Sequence, residues 1–530
     1  MKRLVTLVLS ILLMICCLGL VACHKTHTFD QEKTEAIYRK TFATCGSGAV
    51  YYQSCVCGEK GEETFDAGAP LGHSYVNREC QMCHDILDTS EGLIFKSYDD
   101  ETCFVSNKGF CTDIDIVIPA VYEGKTVIGI NDEVFKEYDF LESIVIPNTI
   151  SSIGKCVFSG CSNLKTVSFA EDSQLNSIDE GAFEFCYKLT SFTIPSTVKT
   201  INMSAFSNCV NLEEITMPDS LTSIGWEAFK NCASLKNIII PNGVQTIGDG
   251  AFEACSLLES VTIPSSVSDV GVGAFASCEK LTKIELNGNQ NFRSIDGNLY
   301  SKDGKTLIQY AIGKSANSFV VPDGVTVISE KAFSYSKNLI SITLPKTLTT
   351  IDKDAFNLCD NLFEIYNLSK LQIVKESYQN GNIANNARDV YTSLNTPSKL
   401  KVENGVVLYK NGQEDLLLGY IGSESILTIP TSVTKIEKSA FEYNLTLESI
   451  SIPNTVTIIA ESAFAYCSNL KHLTIGKGVS QIQKWAFFNC NKLESITYEG
   501  TKTEWNSVEK GSSWDFSTGD YTITCSDGVV

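Results

Sequence analysis

The chain has 530 residues, of which 43% are hydrophobic and 20% are charged, and its formal net charge is -20. This composition is too apolar for an intrinsically disordered protein, and the acidic excess argues against a nucleic-acid partner, whose binding surface needs clustered Lys and Arg. The 21 Cys beside only 5 His require an explanation in the pattern of the chain.

Residues 1–22 have the pattern of a lipoprotein signal peptide. Two basic residues precede an apolar run from Leu4 to Leu20, and no later run has the ~20 apolar residues that span a bilayer. The run ends in L-V-A-C, which is similar to a bacterial lipobox and predicts that Cys23 is lipidated. An ordinary signal peptide with a cysteine near its cleavage site is the alternative. The expected location is the extracytoplasmic face of the cell membrane, with an acyl anchor and a tether at 23–40.

A small cysteine-rich module is predicted at 41–90. Its pairs C-x-C and C-x2-C are separated by 22 residues, and C-x2-C is a common half of a tetrahedral zinc site. The candidate zinc ligands are Cys55, Cys57, Cys80 and Cys83. Disulfides compete directly in an exported protein, Cys45, His73 and His84 are spare candidates, and a module with neither bond is the third alternative. Zinc or disulfides would staple a segment too small for a core of its own.

After a predicted N-terminal cap at 91–124, a 23-residue repeat fills most of the chain. Its unit is L-x-x-I-x-I-P-x-x-V-x-x-I-G-x-x-A-F-x-x-C-x-x, clearest from Leu235. The repeats are predicted at 125–285, 321–366 and 426–499. The repeated Phe occupies positions 135, 158, 183, 206, 229, 252, 275, 333, 356, 441, 464 and 487.

Each repeat is predicted to form one coil of a β-rich or α+β solenoid. The alternation in L-x-x-I-x-I indicates a short strand with its Ile side chains inward, which Pro ends by removing a hydrogen-bond donor. The Gly of I-G is expected to permit the return turn, and A-F-x-x-C reads as a turn or a single helical coil. No coil buries its apolar residues alone, so coils must stack with parallel strands around a continuous core.

The repeat pattern is broken at 286–320 and at 367–425, where the second segment also contains degenerate repeats. Each contains a strong hairpin turn, at Asp303–Gly304 and at Asn411–Gly412. These hairpins are expected to interrupt the stack and project from its edge. The last segment, 500–530, lacks the repeat and is predicted to be a C-terminal cap.

The repeat explains much of the Cys surplus, because nine cysteines lie three residues after the Phe. Stacked coils present parallel Cβ vectors, which is poor disulfide geometry, so these cysteines are predicted to be small buried hydrophobic residues. The alternative, a metal ladder or redox chain, lacks a nearby His or second Cys in most coils. The nine are Cys161, Cys186, Cys209, Cys232, Cys255, Cys278, Cys359, Cys467 and Cys490.

With its I-P and A-F-x-x-C signatures, the repeat resembles that of BspA-like leucine-rich repeat surface proteins of bacteria and some mucosal parasites. The resemblance covers about 141–286, 321–365 and 427–496. It implies a leucine-rich repeat solenoid and, more loosely, cell-surface attachment and binding of host proteins. It carries over no binding residues, because the shared motif is the core.

The outward positions of the predicted strands are the candidate ligand-binding face for a protein or a glycan. Stacking gives two columns rich in Ser and Thr, which Asn237, Ile239, Lys283 and Glu285 interrupt. The alternative is that Thr suits strands and Ser keeps an exposed sheet soluble. The candidate face comprises Thr166, Ser168, Ser191, Thr193, Thr216, Ser260, Thr262, Ser341 and Thr343.

The sequence contains no catalytic constellation. It has no H-E-x-x-H motif, its three G-K-[ST] triplets lack the upstream Gly of a phosphate loop, and His472 lies at an outward strand position. Trp226, Trp485 and Tyr443 lie on predicted turns and are candidate contact anchors or packing residues. The sequence therefore predicts a non-catalytic surface protein that binds host or envelope proteins or glycans, with adhesion as its role. A structural spacer of the cell envelope and a carbohydrate-binding lipoprotein are the alternatives.

Overall fold

A computed structural model describes residues 89–530, together with the backbones of five short strands that precede them. Those strands are Arg39–Thr41, Val50–Ser54, Lys60–Asp66, Tyr75–Val76 and Glu79–Cys80. The first three form one antiparallel sheet and the last two pair with each other. The predicted lipidation and zinc sites lie outside the described residues, or outside the described side chains in the case of Cys80, and stay predictions: Cys23, Cys55, Cys57, Cys80 and Cys83.

The chain divides into two compact units. Unit 1 comprises the residues up to Val127 with Phe140–Pro147 and Val167–Ala170, and unit 2 comprises Ile128–Asp139, Asn148–Thr166 and Glu171–Val530. The strands of unit 1 are Ile94–Ser97, Thr102–Asn107, Asp115–Val117, Val121–Tyr122 and Ser143–Ile146, while Lys125–Ile130 and Thr166–Phe169 contain residues of both units. The first two form an antiparallel hairpin, and Asp115–Val117 pairs in parallel with Ser143–Ile146.

Unit 2 is a solenoid in which each coil contributes two strands. The first strands pair in parallel with the equivalent strands of neighbouring coils, as Ser191 does with Glu214, and the second strands do the same, as Thr200 does with Ser223. The first strands are Ser191–Thr193, Glu214–Thr216, Asn237–Ile239, Ser260–Pro264, Lys283–Asn287, Ser318–Val320, Ser341–Leu344, Glu364–Asn367, Asp389–Tyr391, Ile426–Thr428, Ser449–Ile452, His472–Ile475, Ser495–Tyr498 and Thr522–Cys525. The second strands are Ser152–Ile153, Ser177–Ile178, Thr200–Ile201, Ser223–Ile224, Thr246–Ile247, Asp269–Val270, Thr306–Gln309, Val327–Ile328, Thr350–Ile351, Glu414–Tyr420, Val433–Ile436, Ile458–Ile459, Gln481–Ile482 and Glu509–Lys510.

The repeated Phe forms a buried stack, as the repeat predicts. Between Phe135 and Phe275, the centroids of successive rings lie 5.1–5.5 Å apart and the rings are within 13° of parallel. From Phe441 to Phe487 the spacing is 4.8 and 5.0 Å. These distances match the ~4.8 Å spacing of hydrogen-bonded strands, so the stacked, merged core is confirmed.

The nine repeat cysteines are buried, and each thiol donates to a backbone carbonyl of the preceding coil. In every case the acceptor is the carbonyl oxygen of the repeated Phe, 3.0–3.3 Å from Sγ. All nine are free thiols. The prediction of small buried residues is confirmed, and the weak S–H donor explains why Cys suits this position better than Ala.

Each A-F-x-x-C segment is a turn with two left-handed residues, one placed two residues before the Phe and one two residues after it. In the coil of Phe229 these are Glu227 at φ 51° and Asn231 at φ 58°. The Gly of I-G is not left-handed, contrary to the expectation from the sequence. Gly225 is needed for space instead, because a Cβ there would lie 2.7 Å from the backbone carbon of Asn202 in the preceding coil.

We expect Ala254→Gly to stabilise the protein. Ala254 has φ 60°, which costs a residue with a Cβ roughly 1–2 kcal/mol, and Gly avoids that cost at the expense of more entropy in the unfolded chain. The free energy of unfolding should rise by about 0.5–1 kcal/mol in urea titrations followed by circular dichroism. Ala251→Gly is the matched control, since Ala251 is buried and right-handed. It should destabilise by about 1 kcal/mol, and an equal loss in both variants would contradict the argument.

The insertion at 286–320 is a modified coil whose last strand pairs with the second strand of the coil that follows. Phe292–Ile295, Asn298–Ser301 and Thr306–Gln309 are consecutive antiparallel strands, and the last of them also pairs in parallel with Val327–Ile328. The predicted turn at Asp303–Gly304 lies between the second and third strands. The sheets of the preceding coils end at Asp269–Val270 and Lys283–Asn287, so the strand pairing is interrupted here as the sequence led us to expect. The hairpin itself pairs with the coil that follows.

The second insertion, at 367–425, also contains three antiparallel strands, the last of which pairs with the coil that follows. Leu400–Glu403, Val406–Asn411 and Glu414–Tyr420 are antiparallel neighbours, and Glu414–Tyr420 pairs in parallel with Val433–Ile436. Its last residue, Tyr420, packs against Phe441 with centroids 5.7 Å apart and the ring planes tilted by 35°. An aromatic ring of the insertion thus takes the place next to Phe441 in the core.

The segment 500–530 forms a further coil, where the sequence predicts a cap without the repeat. It begins with helix α1, Lys502–Ser507, whose capping box joins Thr501 and Glu504. Glu509–Lys510 and Thr522–Cys525 then pair in parallel with the strands of the preceding coil. The final strand, Gly528–Val529, turns back antiparallel on Thr522–Cys525.

Candidate binding face

Five first strands of unit 2, from Ser191–Thr193 to Lys283–Asn287, carry the most regular part of the predicted face. Along each strand the central side chain is directed into the core, as with Ile238 and Val261, which are buried. The flanking side chains point outward, and all are exposed except Ser260, which is half-buried. We call these outward side chains the five-strand face: Ser191, Thr193, Glu214, Thr216, Asn237, Ile239, Ser260, Thr262, Lys283 and Glu285.

The hydroxyls of this face are free for a ligand. Within residues 89–530, the hydroxyls of Thr193, Thr216 and Thr262 have no hydrogen-bond partner. Other threonine hydroxyls of the solenoid bond between coils: those of Thr222 and Thr282, each one residue before a strand, donate to backbone carbonyls one coil earlier, at 3.0 and 3.1 Å. Interactions between coils therefore do not explain the Thr residues of the face.

Ile239 lies among these hydroxyls and is 84% exposed. It pairs laterally with Thr262 on the next strand. In the sequence, Ile239 only interrupts a column of polar residues. The structure shows that it is an apolar side chain within a polar surface. An exposed branched side chain flanked by hydroxyls has the composition of a contact anchor with polar surroundings.

The edge of the five-strand face carries an ion pair. Lys283 Nζ lies 2.9 Å from Glu285 Oε1, and both side chains are about half exposed. Exposed pairs of this kind contribute little to stability. Their charges therefore remain available to orient a partner.

Thr166 and Ser168 are exposed as predicted, but they lie on the strand that contains residues of both units and are kept apart from the five-strand face. Further along the chain, His472 is exposed and its Nδ1 lies 3.0 Å from Ser495 Oγ. Among the described residues no carboxylate is hydrogen-bonded to the His472 ring. The pair of His472 and Ser495 therefore lacks the third group that orients the base of a catalytic triad.

Ser341 and Thr343, also predicted for the binding face, are half-buried. They pair laterally with Glu364 and Tyr366 of the next strand, where the chain leading into the second hairpin crosses the sheet. The Tyr366 hydroxyl donates to the carbonyl of Thr396, at 3.3 Å. This crossing segment removes part of the predicted hydroxyl columns from solvent.

A buried carboxylate holds the crossing segment in place. Glu364 is fully buried, and it accepts hydrogen bonds from Ser398 Oγ at 2.7 Å and from the Lys399 backbone N–H at 2.8 Å. Nearby, burial disfavours the charged form of Asp389, but hydrogen bonds from Tyr409 and Lys399 prevail and hold its pKa below the usual range. Glu364 lies at an outward strand position, but here its carboxylate is buried and satisfied by hydrogen bonds from the crossing segment.

The turn aromatics that the sequence singles out differ in their surroundings. Tyr443 is 63% exposed and stacks on Tyr466 with centroids 4.5 Å apart. Lys484 Nζ lies 3.5 Å from the ring centroid of Trp485, whereas no cation covers Trp226 in the described part of the chain. Trp226 is therefore the turn aromatic whose ring is open to a charged group.

Metal chemistry and membrane spans have no support in residues 89–530. No group of three or more His, Cys, Asp or Glu side chains there is placed to hold a metal ion. None of the helices described is long and apolar enough to span a bilayer.

Comparison with known proteins identifies the repeat. The model of the family described as "BspA type Leucine rich repeat region" matches six copies, within 128–236, 176–307, 310–395 and 422–508. No curated protein matches the chain.

Solved structures of bacterial repeat proteins are similar over most of their length. A leucine-rich cell surface protein from Faecalibacterium prausnitzii is 27% identical, with 79% of this chain and 97% of that chain covered and a TM-score of 0.48. The pneumococcal vaccine antigen PcpA is 22% identical, with coverage of 78% and 88% and a TM-score of 0.38. A leucine-rich repeat protein from Bacteroides ovatus is 19% identical, with coverage of 83% and 99% and a TM-score of 0.37. Since the family model matches more than half of the residues, the chain belongs to the BspA-type leucine-rich repeat family.

Proposed function

We propose that this protein is a non-catalytic binding protein of the cell surface whose five-strand face contacts a macromolecule, with adhesion to host proteins or cells as its role. Proteins of this family are typically found at the cell surface, and leucine-rich repeat surface proteins generally bind protein partners. The observation that carries the proposal is the exposed Ile239 among Thr hydroxyls that have no internal partner.

The five-strand face has two features that favour binding of a ligand, its unpaired hydroxyls and its exposed Ile239. Hydroxyls that already lack internal partners bind a ligand without breaking hydrogen bonds inside the protein. An exposed Ile at the centre supplies apolar area at ~25 cal/mol for each Å² that a partner covers. A repeat scaffold changes little on binding, so little of this gain is spent on ordering the chain.

The proposal includes an anchor and a small module at the N-terminus. Acyl chains on Cys23 would hold the protein on the membrane, and the cysteines of the 41–90 module would bind structural zinc. Both follow from the sequence pattern alone. They would leave the solenoid on the outer side of the membrane, where host or envelope proteins and glycans are accessible.

We expect Ile239→Glu to abolish high-affinity binding. The test is a solid-phase assay in which the purified protein is titrated over immobilised host matrix proteins and a glycan array. The unmodified protein should show saturable binding to a protein partner. Ile239→Glu should weaken that binding by at least about tenfold, because it places a charge where a partner covers an apolar side chain.

Gln245→Glu is the matched control for this experiment. Gln245 is exposed and directly precedes the second strand Thr246–Ile247, so the variant adds the same negative charge away from the five-strand face. It should bind like the unmodified protein. Equal losses in the two variants would refute a role for the face, saturable binding to glycans alone would support the carbohydrate-binding alternative, and no binding at all would support an envelope spacer.

A further inference from the structure

A groove on the turn side of unit 2 has the composition of a second binding site, apart from the five-strand face. It encloses about 400 Å³, and its apolar lining comes from Met203, Trp226 and Val272. These three side chains are 41%, 59% and 42% exposed. Met203 and Trp226 lie on adjacent coils, and Val272 lies two coils beyond Trp226 with Asp249 at the equivalent position between them. No described residue covers these three apolar side chains.

The rest of the lining is mainly acidic. Glu227, Asp249, Glu253 and Glu330 contribute four carboxylates and Lys331 one ammonium group. In a chain of net charge -20, the groove concentrates negative potential between low-dielectric walls. An anionic ligand is therefore disfavoured, and a cation is favoured.

Two of the four carboxylates are already neutralised. Glu253 pairs with Lys331 at 3.0 Å, and Glu227 pairs with Lys230 at 2.6 Å. Asp249 and Glu330 have no cation within ion-pair distance among residues 89–530. The Val272 backbone N–H donates to Asp249 Oδ1 at 2.8 Å, so this carboxylate is held in place beside the apolar wall.

Trp226 is positioned for a cation as well. Its ring edge lies close to Gly248 of the next coil, where a Cβ would be only 2.8 Å from Trp226 Cδ1. A cation over an indole ring is attracted by the negative face of the ring. The protein itself shows the arrangement at another turn, where Lys484 Nζ lies 3.5 Å from the centroid of Trp485. The groove at Trp226 offers the same kind of ring beside two unpaired carboxylates, and its own Lys331 pairs with Glu253 rather than lying over the indole.

We propose that this groove binds an exposed lysine or arginine side chain of a protein partner, with the cation over Trp226 and its charge neutralised by Asp249 and Glu330. The alkyl part of such a side chain packs on Met203 and Val272, as long basic side chains do on apolar surfaces. The basic residue must lie on an accessible loop or terminus, because the groove takes one side chain with its flanking backbone.

The test is calorimetric titration of the full-length protein with an end-blocked peptide, Gly-Gly-Lys-Gly-Lys-Gly-Gly, and with the same peptide acetylated on both lysines. We expect saturable binding of one lysine peptide for each chain, and at least tenfold weaker binding of the acetylated peptide. Trp226→Ala should weaken binding of the lysine peptide by about tenfold. Glu330→Gln, which leaves Trp226 in place, should weaken it several-fold.

Trp485→Ala is the matched control, since it removes an exposed turn tryptophan whose ring already has an internal lysine. It should leave the affinity unchanged. Trp226→Ala keeps every charge of the protein, so it separates groove binding from general attraction to an acidic surface. Equal affinities for Trp226→Ala and the unmodified protein, tight binding of the acetylated peptide, or binding without saturation would each overturn the proposal.

Discussion

Phe229→Ala is expected to lower the free energy of unfolding of the central coils by about 3–5 kcal/mol. The Phe229 ring is fully buried and stacks between Phe206 and Phe252, with centroids 5.2 and 5.3 Å away. The space left by the ring cannot close easily, because the Phe229 N–H donates to the carbonyl of Ala251 at 2.8 Å and the turn is held by the next coil. The substitution therefore loses the free energy gained by burying the ring, and it also leaves a cavity that lowers the stability further.

The measurement is urea denaturation followed by far-ultraviolet circular dichroism, with limited proteolysis to locate the coils that open first. Trp226→Ala is the control in the same coil, because it removes a larger but mainly exposed ring and should cost less than about 1 kcal/mol. Cleavage should begin near residues 206–252 in Phe229→Ala and not in the control. Similar denaturation midpoints for the two variants would show that the Phe stack is not the stabilising core.

The regular part of this fold is readable from the sequence because one side chain, the repeated Phe, marks each coil. Where a Tyr takes the place of the repeated Phe, the Phe spacing no longer reveals the coil. Tyr310 stacks on Phe333 with centroids 4.8 Å apart, and it lies 23 residues before that Phe, so a search for any aromatic residue at this spacing would have found the coil. Tyr420 packs against Phe441 at a spacing of 21 residues, which period counting misses.

The candidate site is predictable only where it depends on the alternation within a strand. Alternation correctly places Thr193, Thr216 and Thr262 on the surface. It does not foresee that Ser341 and Thr343 are half-buried, beside a strand whose Tyr366 bonds to Thr396, 30 residues further along the chain.

The groove at Trp226 could not be predicted from the sequence. Its lining comes from four coils and from Lys331, whose ion pair with Glu253 joins residues 78 apart in the chain. Local patterns cannot reveal an arrangement that depends on how distant turns are placed. Composition gave one partial signal, since an exposed tryptophan on an acidic chain already favours cationic partners.

The second large effect is expected at alkaline pH, where the column of buried thiols should make the fold unstable. Burial raises the pKa of Cys161, Cys255 and Cys359 from 9.0 to about 12. Burial likewise raises the pKa of four others well above that ordinary value: Cys186, Cys232, Cys278 and Cys467. The folded protein therefore keeps seven thiol protons that the unfolded chain releases once the pH passes 9.

The sign of the effect follows from this difference. Because the folded-state pKa values are raised, the stabilisation by these thiols is complete below pH 9 and is lost as the pH rises from 9 towards 12. Each thiol lowers the free energy of unfolding by about 1.4 kcal/mol per pH unit in that range, so seven give roughly 10 kcal/mol per unit. We expect cooperative alkaline unfolding, measured by circular dichroism, together with the appearance of thiolate absorbance.

Substitution of Cys186, Cys232 and Cys255 by Ala separates this cause from the general weakening of proteins by alkali. The triple variant loses three S–H donors and some packing, so it should be less stable than the unmodified protein at neutral pH. Above pH 9, however, its stability should fall less steeply, by about 4 kcal/mol less per pH unit. Val198→Ala combined with Val244→Ala is the matched control, because both valines are buried in coils of the same region and do not titrate.

The valine variant should be weaker at every pH with an unchanged dependence on pH, so the two variants must differ in slope and not only in midpoint. Identical slopes above pH 9 would mean that the thiols are ionised with little cost inside the folded protein. Thiolate absorbance rising near pH 9 while the circular dichroism stays native would mean the same. Either result would contradict a core that buries a Cys at nine of the twelve repeated Phe turns, since a core that excludes water cannot hold a column of charges.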